Sequence, residues 1–423
     1  MFVTVKGAGV GSVFPGVQAA IGRDIYAYVP EPSVSARFVT QMLRFTTAAV
    51  VSRAQGDIPG LSKDHILNHR IPLPPSAEQD RIADALDELL SDLDSGVAAL
   101  GAVKAKLAHY RASVLKAAVN GMLTSEWREQ HPHTEAASEL LERILASRRG
   151  GRVPDRVFPA GAALPGGWCW TSLGDISEIQ GGIQKSPSRK PTRDHYPYLR
   201  VANVHRGSLD LRDLHRFELT SEELDRLRLM PDDLLIVEGN GSRNEIGRCA
   251  IWHGEIEDCV HQNHIIRVRP WAGVASPYVS VYLNSPVGQS AIQDVASSTS
   301  GLYTLSVSKI VKLPLPLPPV DEQGVIVEAV DDHLSILEHV ESGIEDKLRS
   351  AIALRQAILR HAFTGRLVAQ DPNDEPASEL LRRIAMEREK RARATDAAKH
   401  KHVNGNAPRV GVRQPRKKRT KES

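Results

Sequence analysis

Residues 71–79 read IPLPPSAEQ and residues 315–323 read LPLPPVDEQ, an offset of 244. The offset holds without a gap for about fifty residues around them. Leu61-Ser62 recurs as Leu305-Ser306, Ile66 as Ile310, and Leu115, Ala118, Gly121 and Leu123 as Leu359, Ala362, Gly365 and Leu367. Further on the offset becomes 240, and the run from Ala137 to Leu141 recurs from Ala377 to Leu381. A period this long marks duplicated domains rather than a solenoid of short repeats.

Each Pro-rich break opens a long helix. Proline cannot continue a helix but starts one well in its first turn. From Ala77 to Asn120 there is no proline, and Ile82, Leu86, Leu89, Leu93, Val97, Leu100, Val103, Leu107, Tyr110 and Val114 recur in steps of three and four. From Asp321 to Thr364 the stripe is Ile326, Val330, Leu337, Ile344, Leu348, Ala351 and Ile358. Such heptad-like spacing predicts two helices, each roughly 65 Å long at 1.5 Å per residue. Gly121 and Gly365 stand where C-terminal helix caps belong. A single apolar stripe must be buried on something. The economical partner is the other copy, which predicts an antiparallel coiled coil; the alternative is two separate helical hairpins, each packed on its own domain.

The part of the repeat before the second break has a different pattern. Residues 164–314 contain short β-like runs at Trp168–Leu173, Tyr198–Val201, Leu234–Val237, Arg248–Trp252 and His264–Val268, with helical stretches at Ser221–Leu229 and Pro277–Leu283. This predicts an α+β domain, reached through an Arg/Gly/Pro-rich linker over 146–163. The N-terminal copy aligns only in part. Phe2–Val5 matches Leu235–Val237 and its neighbours, Gly7-Ala8-Gly9 matches Gly239-Asn240-Gly241, and Asp24–Pro30 matches His264–Pro270. The expectation is that the chain starts inside this domain, without some 70 residues equivalent to 164–233.

Composition narrows the function. With 41% hydrophobic and 25% charged residues, the 423-residue chain reads as a folded protein. Cys169, Cys249 and Cys259 make neither a disulfide framework nor a CxxC zinc pair, and a reducing cytoplasm is expected. The longest uncharged run, Pro270 to Gln293, is too polar and too broken by proline to span a bilayer. The net charge of +3 divides unevenly: residues 385–423 hold 13 Lys/Arg against 4 Asp/Glu, a surplus of +9, so the preceding 384 residues carry −6. Any nucleic-acid face on the folded body must therefore be a local patch. Gly239, Gly241 and Gly247 lack a following Gly-Lys-Ser/Thr and read as a turn, not a phosphate loop. His253, His261 and His264 have no acidic or cysteine partner at ligand spacing, so no metal is expected. With no Asn-Pro-Pro-Tyr/Phe motif and no helicase P-loop, the chain is expected to be catalytically inert without partners.

The paired motifs at Pro72–Gln79 and Pro316–Gln323, the opening Leu164 to Trp170 (LPGGWCW) followed by Leu173-Gly174-Asp175, Leu234 to Gly241 (LLIVEGNG) and Gln262-Asn263 together resemble the specificity subunits of type I restriction–modification systems. The resemblance covers almost the whole chain apart from the basic tail. It implies two target-recognition domains, each reading half of a split double-stranded DNA site. It also implies helices that set the spacer and dock two modification (methyltransferase) subunits, with motor–nuclease (restriction) subunits joining the complex. S-adenosylmethionine, ATP and Mg would belong to those partners, and no cofactor to this chain. The expected organisation is a partial first recognition domain at 1–75, a central helix at 76–124, and a short helix with linker at 125–163. A second recognition domain at 164–318, a C-terminal long helix at 319–366, a short helix at 367–391 and a disordered basic tail at 392–423 complete it. The alternative is a coiled-coil interaction protein, or a decayed subunit, without sequence-specific DNA reading.

The DNA-contact candidates are polar and basic residues on predicted turns. Gln180 to Lys185 (QGGIQK) reads as a flexible loop: Gln180 and Gln184 suit adenine edges, while Lys185, Arg189, Lys190 and Arg193 suit phosphates. Arg200, Asn203 and His205 follow on the next strand and turn, and Asn240, Ser242, Arg243 and Asn244 fill a polar loop. Gln262 faces DNA or buttresses the backbone, and Tyr303 faces DNA or core. The paired motifs place partner contacts at Glu78, Gln79, Glu322 and Gln323.

Overall fold

The structure, a computed structural model, describes residues 1–7, 9–52, 60–147, 163–184, 186, 189–193, 195–299 and 301–404. The 146–163 linker, Lys185 and the end of the basic tail thus fall largely or wholly outside the described residues. The chain divides into two compact units, residues 1–100 with 346–423, and residues 101–345.

The chain opens with β1 (Phe2–Thr4), β2 (Val13–Phe14), β3 (Ile25–Ala27), α1 (Ala36–Val51) and α2 (Lys63–Leu67). The long helix α3 (Ser76–Val119) follows, then α4 (Ser125–Gln130) and α5 (Ala137–Ser147). The large domain begins with β4 (Cys169–Ser172), α6 (Leu173–Ile176), β5 (Ser177–Gly181), β6 (His195–Leu199), β7 (His215–Glu218) and α7 (Ser221–Leu227). It continues through β8 (Asp233–Val237), β9 (Gly239–Asn240), β10 (Cys249–Trp252), β11 (Val260–His261), β12 (Ile265–Pro270), α8 (Ser276–Asn284) and α9 (Pro286–Val295). It closes with β13 (Ser297–Thr299), β14 (Leu302–Thr304), α10 (Val307–Val311) and β15 (Pro314–Leu317). The second long helix α11 (Val320–Phe363) and α12 (Ala377–Asn404) end the described chain.

The two long helices have 44 residues each, and both ends are displaced by the sequence offset of 244. They stop for the same reason. Gly121 and Gly365 adopt φ of +70° and +68°, which glycine alone adopts freely. The amides behind them fold back, Met122 N–H onto Ala117 O and Arg366 N–H onto His361 O, closing the last turn of each helix in the same way.

The helices pair antiparallel inside each unit. In residues 101–345, Lys104 bonds Glu345 at 2.9 Å, Arg111 bonds Glu341 at 3.1 Å, and the Tyr110 hydroxyl lies 3.3 Å from His333 Nδ1. In the other unit Arg355 pairs with Asp94, and Leu359 and Ala362 join Leu86 and Leu90 in one core. The stripe is not buried evenly: Leu86 and Val114 are buried, while Leu89, Val103 and Tyr110 are exposed and Leu90 takes the inward place beside Leu89. A straight helix drifts by about 20° per heptad, so a stripe read at a fixed heptad spacing leaves the buried face partway along.

In the large domain a four-stranded sheet, order β10-β8-β12-β5, is flanked by three-stranded sheets β11-β6-β7 and β13-β14-β9. β15 pairs with β4, joining the domain's opening to its close just before α11. Prolines 314 and 316 lack N–H donors, but their carbonyls accept the Tyr282 and Tyr278 hydroxyls at 2.5 Å each. The N-terminal sheet, order β2-β1-β3, repeats three of these strands in register. Its row Ala27–Phe2–Phe14 matches Arg267–Leu235–Ala250, and Tyr26–Val3–Val13 matches Ile266–Ile236–Cys249.

Two expectations need correction. α12 continues beyond residue 391, to Asn404. Its sequence supplies Glu/Arg pairs one turn apart, Glu387–Arg391 and Glu389–Arg393, which support a solvated helix. The flexible loop expected from Gln180 is also partly regular: Gln180 and Gly181 end β5, and Ile183 forms a bridge to Gln262.

Candidate nucleic-acid interface

One end of the four-stranded sheet collects most of the candidate side chains. There the end of β8 lies beside the start of β12 and the end of β5, with Val237 opposite Ile265 and Ile266 opposite Gly181. Three backbone segments leave from this edge and are tied together. Ile183 N–H donates to His261 O at 3.0 Å, Asn263 N–H to Ile183 O at 2.9 Å, and Gln262 N–H to Leu199 O at 3.0 Å. Gly182 makes the approach possible, because a Cβ there would lie 2.3 Å from His261 O and 2.4 Å from Gln262 O. The loop after β8 is held next to them: Glu238 N–H donates to His264 O at 2.9 Å, and the Glu238 carboxylate sits 3.3 Å from His264 Nδ1.

From this frame polar groups reach outward. Asn240 lies directly across from Tyr303 on β14, and both are half-buried. The Asn240 side-chain oxygen accepts the Ser242 N–H at 2.8 Å, fixing a turn that leaves Ser242, Arg243 and Asn244 exposed. Gly247 anchors the far end of the loop at φ +69°, with a Cβ position only 2.5 Å from Ile292. Gln184 is exposed, and Gln262 is half-buried. Among the described residues, no hydrogen bond engages the side chains of Gln184, Arg243 or Gln262. Amides and a guanidinium left unengaged at one edge are the groups that can read base edges and phosphates.

Arg189, Arg200 and Asn203 are engaged inside the domain. Gln180 faces inward, its side-chain oxygen buried without a hydrogen-bond partner among the described residues. Arg189 grips Glu223 at 2.8 and 3.0 Å; that bond raises the Arg189 pKa and holds the Glu223 carboxyl below its ordinary value. Arg200 holds the Asp213 carboxylate at 2.7 Å and touches His215 at 3.0 Å. Asn203 is buried, its oxygen taking the Arg200 N–H at 2.9 Å and its nitrogen donating to Asp210 O and Asp213 O. Lys190 and Arg193 are exposed, and the Arg193 backbone N–H donates to the Glu218 carboxylate at 3.1 Å. His261 is fully buried, and burial pushes its imidazole down to about 4, so it is neutral near pH 7. Its Nδ1 lies 2.9 Å from Ile265 O, which makes that nitrogen the donor in the neutral ring.

Two supporting arginines escaped the sequence reading. Arg206 donates to Asn244 O at 2.9 Å and braces the exposed loop from outside. Arg248 donates to Val204 O at 2.6 Å and Val201 O at 2.9 Å, fixing the turn that carries Asn203. Their signal was weak: each is an isolated arginine beside a glycine, and its partners lie some forty residues away.

Three of the four motif residues form internal staples. Gln79 accepts the Ser35 N–H at 2.9 Å and donates to Pro74 O at 2.8 Å. Gln323 repeats this, accepting the Ala275 N–H at 2.7 Å and donating to Pro318 O at 3.2 Å. Glu322 is fully buried and takes donors from Thr124 at 2.6 Å, Trp168 Nε1 at 2.8 Å and Arg128. Glu78 is also buried. In this chain the glutamine fastens the start of each long helix to its globular domain, Glu322 adds to the hold on the second, and all four residues are buried.

The chain thus carries a duplicated α+β architecture, two long helices of equal length and a polar end on the large domain's sheet. The family described as "Type I restriction modification DNA specificity domain" matches residues 2–98. The chain is 30% identical to the type I restriction enzyme EcoKI specificity subunit of Escherichia coli K12 over 332 residues, 75% of this chain and 64% of that one. It is 27% identical to the EcoBI specificity subunit of Escherichia coli, over 85% of this chain and 73% of that one. A chain solved for the structural basis of complex assembly and conformational transition of the type I R-M system shares the fold, with a TM-score of 0.53 at 19% identity, covering 79% of this chain and 72% of that one. The chain belongs to the type I restriction–modification specificity subunits. It spans 64% of the length of the EcoKI subunit. Among the described residues no helix is long and apolar enough to cross a membrane.

Proposed function

We propose that this chain is the DNA sequence-recognition subunit of a type I restriction–modification complex, working in the cytoplasm on double-stranded DNA. It reads a bipartite target and scaffolds two methyltransferase subunits and the motor–nuclease subunits. S-adenosylmethionine, ATP and Mg are used by those partners, and this chain supplies no catalytic group. The observation that carries the reading is that Gln184, Gln262 and the Asn240–Asn244 loop, with Asn240 paired to Tyr303, leave from the same end of the four-stranded sheet and the β9–β14 pair beside it. Arg189, Arg200 and Asn203 act behind it, holding the β6–β7 sheet and its turn in shape. The equal long helices, 44 residues each, support a fixed spacer between half-sites and equivalent seats for two identical partners.

The test is DNA binding by the purified chain with and without its modification subunits. Sequence-selective binding is expected only with them. Arg243→Ala should weaken binding to every sequence and lower the salt slope by about one. Gln262→Ala should cost about 1–3 kcal/mol at one base position and relax selectivity there. Assembly with partners but no sequence preference would favour a scaffold that does not read DNA.

A further inference from the structure

Three buried polar atoms of the large domain have no hydrogen-bond partner among the described residues: Gln180 Oε1, His261 Nε2 and Arg267 Nε. Strand alternation turns all three toward one interior face. On β12, Ile266 and Val268 pack into the core that holds Tyr278 and Tyr282, whereas Ile265 packs into a second core with Leu235. Arg267 stands two residues after Ile265 and opposite Leu235, so it faces the second core. Gln180 is the direct partner of Arg267 across the β5–β12 pair, which sets the two side chains on one face with Cβ atoms about 5 Å apart. On the segment entering β11, Cys259 packs into that second core and Val260 away from it. His261 is next in the alternation and turns back toward the second core. Its Nδ1, 2.9 Å from Ile265 O, holds the ring against β12.

The other charged groups on this face are taken. Arg267 Nη2 bonds the Glu178 carboxylate at 2.5 Å, and the two Asp233 oxygens accept from Arg269 at 2.6 and 2.7 Å. Arg267 is 2% exposed and His261 not at all. Polar atoms left bare at this depth are costly, and native interiors meet them with internal waters that make about three hydrogen bonds each.

The hydrogen-bond roles select the ligand. His261 gives its Nδ1 proton to Ile265 O, so Nε2 presents a lone pair. Gln180 Oε1 is a second acceptor, and Arg267 Nε–H is a donor. An anion would face two lone pairs, and a cation would face the guanidinium. A water answers all three atoms, giving one proton to His261, the other to Gln180, and accepting from Arg267. We propose that Gln180, His261 and Arg267 form a binding site for a single internal water, which joins β5, β11 and β12 beneath the turn that carries Gln262. The site does not depend on what that turn reads.

The test is a double-mutant cycle on the full chain, read from urea unfolding at pH 7. Gln180→Met keeps the length of the side chain and removes the acceptor. It should lower the folding equilibrium constant about tenfold, the size of one lost hydrogen bond. In a chain already carrying His261→Leu the same change should cost less than about threefold, because the water has then lost another of its holders. A neutral or stabilising Gln180→Met would overturn the proposal, since removing a bare oxygen relieves burial rather than breaking a bond. An undiminished tenfold cost beside His261→Leu would overturn it too, since the two residues would share no bridge. Far-ultraviolet circular dichroism checks that the variants are folded. A crystal structure of the unaltered chain decides independently of them: one ordered oxygen within about 3.2 Å of all three atoms is expected. A direct Gln180–His261 contact, or no density between the three atoms, would contradict the site.

Discussion

Gly181 and Gly182 are neighbours in sequence, and alanine should have opposite consequences at the two positions. A Cβ at Gly181 would meet only the Val307 side chain, at an ordinary 3.8 Å. A Cβ at Gly182 would stand 2.3 Å from His261 O and 2.4 Å from Gln262 O. Both obstacles are backbone, so no rotamer change relieves them. The carbonyls would have to retreat by roughly 1 Å, and overpacking of this kind costs about 1–3 kcal/mol. The retreat would also break the Ile183–His261 and Asn263–Ile183 hydrogen bonds, worth about 0.5–1.5 kcal/mol each. Gly182→Ala should therefore destabilise the large domain by about 2–6 kcal/mol and release the turn carrying Gln262, whereas Gly181→Ala should cost under about 1 kcal/mol. Urea unfolding followed by the buried Trp252 gives the first number. Amide hydrogen exchange at Ile183 and Asn263 gives the second. Equal stability and equal protection in the two variants would refute the close approach on which the proposed reading edge is built.

Three further outcomes follow from other parts of the fold. The unfolded chain protonates His261 near 6.5 but the folded one only near 4, so stability should fall by up to about 3 kcal/mol as pH drops through that window. His261→Asn should flatten this dependence in urea midpoints compared between pH 7 and 4.5, and an unchanged slope would contradict it. Alanine at either helix cap strains a positive φ by about 1 kcal/mol. Gly121→Ala should lower the thermal midpoint more than Gly365→Ala, because its Cβ also meets Pro165 at 2.5 Å and Arg128 at 2.9 Å. Glu322→Gln should cost about 2–4 kcal/mol by leaving Arg128 and Trp168 short of their acceptor, while Glu78→Gln should be neutral within about 0.5 kcal/mol in the isolated chain. Equal losses at the two glutamates would contradict the hydrogen bonds that Thr124, Trp168 and Arg128 give to Glu322.

The repeat and its helices were legible because helix boundaries are local. Proline before Ser76 and Val320 marks both observed starts, and Gly121 and Gly365 stand two residues past the observed ends at Val119 and Phe363, short of the expected limits at 124 and 366. The strands with apolar runs, such as Leu234–Val237 and Arg248–Trp252, were equally plain. β5, β9 and β13 were not, because Ser, Gln, Gly and Thr dominate them and they are strands only through their partners. α9 was hidden because Gly, Gln and Ser interrupt it; the Ser285 cap and Pro286 start it, and Val287, Ala291, Ile292 and Val295 turn to the core. The site was legible only by residue type. Arg189, Arg200 and Arg243 look alike in sequence, but Glu223 and Asp213 claim the first two, and among the described residues no acceptor claims the third. That distinction depends on residues 34 and 13 positions away, which only the fold brings near.

The central claim is that the sheet end carrying Asn240, Arg243 and Gln262 reads one half of a DNA target. Its most direct test is adenine-methylation mapping by long-read sequencing in a methylation-free host expressing the chain with its modification subunits. A split methylated motif is expected, and Asn240→Ala or Gln262→Ala should relax one half of it while leaving the other half and the spacer unchanged. No methylation from a complex shown to assemble, or a motif indifferent to both substitutions, would contradict the account.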